Sequence, residues 1–151
     1  MGKLLIKNVE IISAPDNEKY FLGIDNDTIS VISKELPDGF ENAEIIDAAD
    51  KIAVPGMVNT HTHAAMTLLR SYADYMALMD WLQNKIWPAE AGLNDDDIYW
   101  GTMLSIVEML KTGTTCFADM YFAMDRVGQA VEETGMRASL SRGLVGLTHD
   151  A

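Results

Sequence analysis

Cysteine, histidine and basic residues are all scarce in this sequence. The scarcity of cysteine and that of basic residues each exclude a class of protein. A single cysteine, Cys116, rules out an intramolecular disulfide framework. Eleven Lys and Arg against 23 Asp and Glu give a formal charge of −12, which opposes binding to phosphate backbones or anionic membranes. The amino terminus shows no apolar core of a signal peptide and no membrane span. We therefore expect a cytoplasmic protein with neither a nucleic-acid nor a membrane partner.

Short β-rich segments separated by turn residues occupy the first third of the chain. The turns contain Pro, Asp, Asn and Gly, which favour turn backbones. This pattern predicts a small antiparallel, sandwich-like β domain over residues 1–54. Its expected strands cover residues 4–12, 20–24, 28–32 and 44–46.

After Pro55 the pattern changes to strands that alternate with helices, which is typical of an α/β fold with a parallel sheet. Strands are expected at 57–60, 114–118 and 137–140, and helices at 94–113 and 125–134. Three strands are too few to close a (β/α)8 barrel, which has eight strands and typically about 250 residues. We therefore expect residues 55–151 to form an α/β region whose sheet is not closed.

The segment 94–113 is the clearest predicted helix. Asn94 is a suitable cap, the three following aspartates favour the positive amino end, and Gly113 is a suitable stop. Apolar residues recur along it at helical spacing, which predicts a buried stripe. That stripe contains Trp100, Met103, Leu104, Val107 and Leu110.

Two of the three histidines share one tripeptide, His61-Thr62-His63. In an extended strand, side chains at i and i+2 project to the same face, so both imidazoles can reach one metal ion. A bare pair at this spacing is also compatible with a surface loop. However, the pair lies between an apolar strand and a segment of helix-forming composition. That order is typical of a parallel sheet with its chemistry at the carboxyl ends of the strands.

The run from Pro55 to His63, Pro-Gly-Met-Val-Asn-Thr-His-Thr-His, resembles the first barrel strand of the amidohydrolase superfamily. Further stretches are similar to the aromatic and adenosine-type deaminases of that superfamily, especially the 5′-methylthioadenosine/S-adenosylhomocysteine deaminases. These stretches are Met-Thr-Leu-Leu-Arg at 66–70, Trp-Pro-Ala-Glu at 87–90 and Gly-Thr-Thr-Cys-Phe-Ala-Asp-Met at 113–120. The resemblance covers the whole chain, including its β-rich start.

This resemblance implies the opening βα units of a (β/α)8 TIM barrel that is incomplete in this chain. It also implies one divalent metal, zinc or sometimes iron, with His61 and His63 as its first two ligands. The implied reaction is hydrolytic deamination, at a C–N bond other than a peptide bond, by a metal-activated hydroxide. S-adenosylhomocysteine, 5′-methylthioadenosine or adenosine would be the substrate. Two further ligands and the catalytic residues would lie beyond residue 151, and His149 matches none of them, so we expect this chain alone to be inactive.

The same resemblance implies two substrate-binding residues, Glu90 and Arg142. Side-chain chemistry adds Trp87 as a third, and its place at a strand end makes Asp119 a further candidate; each has a simpler alternative. Glu90 would accept hydrogen bonds from the ribose hydroxyls, or act as a first-turn acid of a helix. Arg142 would grip the carboxylate of an amino-acid tail, or pair with a surface acid. Trp87 would line an apolar base pocket, or pack in the core. Asp119 would orient a metal-bound histidine, or fill a turn or cap position.

Two other functions are compatible with these sequence features. The first is another amidohydrolase acting on a heterocycle, such as a guanine, cytosine or triazine deaminase or chlorohydrolase. The second is a non-catalytic fragment that acts as an assembly partner, since an incomplete sheet exposes unpaired backbone. With either function, we expect the protein to form a homo-oligomer or to depend on carboxyl-terminal sequence that this chain lacks.

Overall fold

The computed structural model describes residues 2–16 and 18–143 of the chain. The chain divides into two compact units, Met1–Pro55 and Gly56–Ala151, each of which is described by itself. None of the helices in the described ranges is both long enough and apolar enough to cross a membrane.

The first unit is one five-stranded sheet around the central strand β1 (Lys3–Ile11). All four predicted strands are present. The expectation of an antiparallel sheet is wrong for the described residues, because the sheet is mixed: β1 runs antiparallel to β2 but parallel to β4 and β5, while the sandwich-like arrangement stays a prediction. A short turn forces β3 to run antiparallel to β2, whereas the longer segment 34–43 lets the chain re-enter beside β1 in the same direction. The other strands are β2 (Lys19–Asp25), β3 (Thr28–Ser33), β4 (Glu44–Asp47) and β5 (Ile52–Ala53).

The second unit contains a parallel three-stranded sheet in the order β6 (Met57–Thr62), β7 (Thr114–Tyr121), β8 (Arg137–Arg142). Every pairing in it is parallel, so the predicted α/β arrangement is confirmed for these strands. Three strands leave the sheet open within the described part of the chain. Their carboxyl ends lie at one edge of the sheet, where β6 carries His61 and His63 directly follows the strand.

The connection from β6 to β7 contains several helical segments, separated by non-helical residues at 70–77 and 91–94. It begins with a 3-10 helix, Ala64–Leu69, directly after His63. An uninterrupted helical stretch follows, made of α1 (Leu78–Trp81), a π-helical segment (Leu82–Ile86) and α2 (Trp87–Glu90). The junction residues between these three segments all have right-handed helical backbone angles. Glu90 is therefore the last residue of this stretch, and the expectation that it begins a helix is wrong.

The long helix α3 (Asp95–Lys111) follows its predicted limits closely. Asn94 Oδ1 accepts hydrogen bonds from the backbone N–H groups of Asp96 and Asp97, at 2.8 and 3.1 Å. The Asp97 carboxylate in turn accepts from the Asn94 N–H at 2.9 Å, which completes a capping box. Gly113, with φ of +86°, occupies the left-handed backbone region soon after the end of the helix. Helix α4 (Met124–Thr134) then leads to Gly135, which has φ of +68°.

The predicted buried stripe of α3 is wrong, because most of its residues point outward. Trp100 is 63% exposed, and Leu104, Val107 and Leu110 are exposed as well; only Met103 packs against the core. The face that packs inward instead includes small residues. A Cβ on Gly101 would lie only 2.6 Å from the carbonyl oxygen of Ala65, so α3 approaches the 3-10 helix at backbone contact distance. The buried face of α3 comprises Ile98, Tyr99, Gly101, Thr102, Ser105, Ile106 and Met109.

Candidate metal centre and adjoining cavity

The two histidines lie at the carboxyl end of β6 with their ring centroids 5.1 Å apart and their planes at 79°. Thr62, between them, points elsewhere: its Oγ1 lies 2.8 Å from both Ala118 O and Asp119 Oδ1 on β7. Strand alternation explains this arrangement, since residues 61 and 63 share the face opposite to that of residue 62. The imidazoles are therefore presented together from a strand that is anchored to its neighbour.

A backbone contact determines which nitrogen of His63 can bind a metal. His63 Nδ1 lies 2.6 Å from the carbonyl oxygen of Met120. A carbonyl can only accept, so Nδ1 carries the proton and donates it to this bond. The neutral ring then keeps a lone pair on Nε2, and such a bond from the other nitrogen is what fixes the tautomer of metal-binding histidines.

Asp119 connects the two ends of the segment that carries His63. Its side chain is 2% exposed, and Oδ1 accepts from the backbone N–H of Ala64 at 3.0 Å and from Thr62 Oγ1. Asp119 thus contacts the residues on either side of His63, while the His63 ring itself is held by the carbonyl of Met120. Its second oxygen, Oδ2, is buried and has no hydrogen-bond partner in the described part of the chain.

A small cavity of about 170 Å³ lies over these groups. His61, His63 and Asp119 line this cavity, and imidazole nitrogens and carboxylate oxygens are donor types that suit a divalent cation. However, residues 2–16 and 18–143 contain no cluster of three or more His, Cys, Asp and Glu side chains that could hold a metal. Within these ranges, therefore, the two imidazoles are too few donors to hold a metal by themselves. The cavity is lined by Thr60, His61, Thr62, His63, Ala118, Asp119, Met120, Ser139 and Ser141.

A larger cavity of about 320 Å³ also has His63 in its lining. It brings together three of the predicted site residues, His63, Trp87 and Glu90. Arg142 is exposed at the end of β8, where it pairs in register with Tyr121, but it is not among the described residues that line this cavity. Most of the lining is apolar: His63, Met66, Leu78, Trp81, Leu82, Ile86, Trp87, Glu90, Met120, Tyr121, Phe122 and Gly143.

Tyr121 is a polar residue of the cavity lining that was not predicted from the sequence. Its hydroxyl donates a 2.6 Å hydrogen bond to Glu90 Oε1. Burial raises the pKa of the Tyr121 hydroxyl well above its usual value, and the bond to the Glu90 carboxylate raises it further. The hydroxyl therefore remains a protonated donor. The available signal was strand alternation, which places Tyr121 on the same face of β7 as the buried Asp119.

Known proteins resemble this chain at the level of both sequence and fold. Residues 52–150 match the amidohydrolase family. The 5-methylthioadenosine/S-adenosylhomocysteine deaminase of Moorella thermoacetica is 52% identical over 151 residues, which cover 97% of this chain and 35% of that protein. The deaminase of the same name from Pelotomaculum thermopropionicum is 63% identical over 112 residues, covering 74% of this chain and 26% of that protein.

Among solved structures, an adenosine deaminase from Xanthomonas campestris with bound zinc is similar to this chain. It has a TM-score of 0.79 and 35% identity over 91% of this chain and 33% of the other. A triazine hydrolase from Arthrobacter aurescens, with a TM-score of 0.82 over 98% of this chain and 37% of the other, is only 22% identical and shows the fold alone. The chain spans about a third of the length of these relatives. It belongs to the amidohydrolase family.

Proposed function

We propose that the full-length protein, one that spans the whole length of its relatives, hydrolyses the exocyclic amine of an adenosine-type nucleoside. The substrates we propose are S-adenosylhomocysteine, 5′-methylthioadenosine and adenosine. The observation that carries this proposal is the largely apolar cavity that has His63 and Glu90 in its lining. The names of the relatives at 52% and 63% identity support the substrate class.

The catalytic metal in this proposal is one divalent ion, zinc or iron, held in part by His61 and His63. When bound, such an ion lowers the pKa of a coordinated water from 15.7 towards ~7 and so supplies a hydroxide at neutral pH. Catalytic zinc sites usually have three protein ligands, and these two histidines are fewer than that. The remaining ligands and the proton-transfer residues would come from the rest of the protein. The 151-residue chain alone would then be inactive.

The cavity walls suit the other parts of a nucleoside. Trp87 and Met66 offer flat and polarisable surfaces to a heterocycle. We propose that Glu90 accepts hydrogen bonds from the ribose hydroxyls. An acid at the carboxyl end of a helix is disfavoured by the helix dipole, so the simpler reading of Glu90 as a first-turn acid loses its support. We propose that Arg142, at the end of β8, binds the carboxylate of the amino-acid tail.

In the architecture that we propose, β6, β7 and β8 open a (β/α)8 barrel, and residues 1–54 form a β-rich flanking domain. The solved structures with TM-scores of 0.79 and 0.82 support this fold. Location in the cytoplasm and assembly into a homo-oligomer stay predictions from the sequence.

The first test is to measure metal content and ammonia release on the full-length protein and on the 151-residue chain. We expect about one metal per full-length protein and ammonia from S-adenosylhomocysteine only there. His61→Ala and His63→Ala should each lose metal and activity together. The matched control, His149→Ala, removes the third histidine of the chain, which lies outside the described residues, and should retain both.

The possible results separate the alternatives. The protein could release ammonia or chloride from guanine, cytosine or a triazine and no ammonia from the three adenosine-type compounds. That result would contradict the proposed substrate class but not the proposed metal centre. A full-length protein without metal or any turnover would favour the non-catalytic assembly partner. Metal retained by both paired-histidine variants would contradict the role of His61 and His63.

A further inference from the structure

A buried tyrosine holds Glu90, which is the only carboxylate among the described residues that line the larger cavity. Tyr121 on β7 is 4% exposed and donates to Glu90 Oε1 at 2.6 Å, while Glu90 ends the helical stretch on the opposite wall. This is the only side-chain hydrogen bond that the described residues make to the Glu90 carboxylate. It occupies one oxygen and leaves Oε2 available for another donor.

This contact offsets two costs of placing a carboxylate there. The helix carbonyls at the end of α2 disfavour a negative charge, and a glutamate side chain loses rotamer entropy when it is fixed. A charge-assisted O–H···O bond of this length compensates for both, because bonds to ionised acceptors are stronger than neutral ones. Without it, Glu90 has rotamers in which its carboxylate leaves the apolar wall and turns towards solvent.

The apolar surroundings make the orientation of Glu90 decisive for selectivity. Leu78, Leu82 and Ile86 line the same cavity, and none of their side chains can pair with a ligand hydroxyl. A hydroxyl that enters this cavity therefore gains most from an acceptor that is already in position. A ligand that fills the cavity without that hydroxyl would cover the Glu90 acceptor oxygen and leave it unpaired, which is the strongest basis for discrimination in such pockets.

We propose that Tyr121 is a positioning residue that fixes Glu90, so that the remaining carboxylate oxygen selects nucleosides that carry ribose hydroxyls. This inference rests on the proposed nucleoside substrate. It concerns a residue that acts through Glu90 and does not itself touch the reacting atoms.

The test compares adenosine with 2′,3′-dideoxyadenosine in the full-length, metal-loaded protein and its Tyr121→Phe variant. Binding is measured by stopped-flow quenching of tryptophan fluorescence, before the nucleosides turn over, because Trp81 and Trp87 line the cavity. The variant should bind adenosine about tenfold more weakly, the size expected for loss of one hydrogen bond to a charged group. Its affinity for dideoxyadenosine should change less than about twofold. If the hydroxyl had a purely structural role, the variant would lose affinity for both nucleosides equally.

The chain offers a matched control in Tyr99→Phe. Tyr99 is also buried, and its hydroxyl donates to Glu133 Oε2 at 2.5 Å, but neither residue lines the cavity. Its removal deletes an equivalent tyrosine–glutamate bond. We expect the ratio of the two affinities to stay within about twofold of the parent protein.

A double-mutant cycle with Glu90→Ala keeps the inference testable even if Tyr121→Phe lowers stability. In the Glu90→Ala background there is no carboxylate to position, so adding Tyr121→Phe should alter adenosine binding less than about twofold. Three results would each overturn the inference. Tyr121→Phe could weaken the binding of both nucleosides equally, or it could weaken adenosine binding just as much in the Glu90→Ala background. The third is a parent protein that does not bind adenosine. Selective binding without ammonia release would instead contradict the proposed deaminase function and support the role of Tyr121.

Discussion

Asp119 combines three features that are seldom found in one carboxylate. It is buried, it accepts from the residues immediately before and after His63, and one of its oxygens has no partner among the described residues. The next residue, Met120, holds the His63 ring through its carbonyl. The end of β7 thus determines both the backbone path and the ring orientation of a proposed metal ligand. Groups that orient ligands in this way contribute to metal affinity without touching the metal.

Replacement of Asp119 should therefore affect both stability and metal binding. Asp119→Ala leaves the Thr62 hydroxyl and the Ala64 N–H without their acceptor, and we expect a loss of about 1–3 kcal/mol of unfolding free energy. Metal affinity should fall by about 10- to 100-fold. Asp119→Asn keeps an oxygen for both donors and should be less damaging. Urea denaturation and competition with a chromophoric chelator measure the two effects.

The exposed Asp125, in the first turn of α4, provides the control. Asp125→Ala should cost less than about 1 kcal/mol and leave metal affinity unchanged. Equal metal affinity in Asp119→Ala and the parent protein would show that Asp119 acts on the fold alone.

Helix α3 shows where sequence periodicity succeeds and where it fails. Its limits were predictable because capping is local: Asn94, Asp97 and Gly113 act on backbone within a few residues. Its buried face was not predictable, because α3 has apolar or small residues on more than one face. Close approach to the 3-10 helix selects the face with Gly101, and that approach depends on residues more than thirty positions away.

Two glycines in different helices should respond oppositely to alanine. At Gly101 a Cβ would meet backbone of the 3-10 helix, 2.6 Å from Ala65 O, so Gly101→Ala should cost about 1–3 kcal/mol through overpacking. At Gly128 in α4, a Cβ would meet only Leu140 Cδ1 at 3.9 Å, an ordinary contact. Gly128→Ala should therefore stabilise the protein by up to about 1 kcal/mol, through helix propensity. Thermal denaturation of both variants tests this, and a shift of the same sign in both would refute the packing argument.

The capping box gives a second prediction for α3. Asn94→Ala leaves the N–H groups of Asp96 and Asp97 without their side-chain acceptor and should lower stability by about 1 kcal/mol. Asn94→Ser keeps an acceptor oxygen and should cost much less. The two variants, compared by urea denaturation, separate loss of the cap from loss of the residue. A similar cost for both would mean that the hydrogen bonds of Asn94 contribute little.

At the scale of the whole chain, the features that the sequence indicated are those encoded by neighbouring residues. The spacing of His61 and His63 is local, and so is the change from β-rich to βα pattern at Pro55. The contact between Tyr121 and Glu90 joins residues 31 apart across two elements, and no local pattern specifies it. The parallel pairing of β4 with β1 likewise depends on where the chain returns to the sheet after the segment 34–43, and the composition of the turns does not determine that position.

The outward surfaces of the second unit lead to a prediction about the isolated chain. Within the described residues, β6 pairs only with β7, and Met57 and Val58 on β6 are exposed, as are Trp100 and Leu104 on α3. An unpaired strand edge beside exposed apolar side chains favours association. The formal charge of −12 opposes it, because like-charged chains repel. The balance between the two should therefore depend on salt.

We expect the 151-residue chain to self-associate in sedimentation velocity experiments, and to do so more strongly when salt is raised from about 0.05 to about 0.5 M, since the added ions screen the repulsion. The double variant Val58→Lys and Trp100→Gln should sediment more slowly at the same salt. A control with Lys85→Gln, which changes charge but adds no apolar surface, should behave like the parent chain. A monomer at about 0.5 M salt would show that these surfaces do not need a partner, and it would count against both the assembly-partner alternative and the dependence on further sequence.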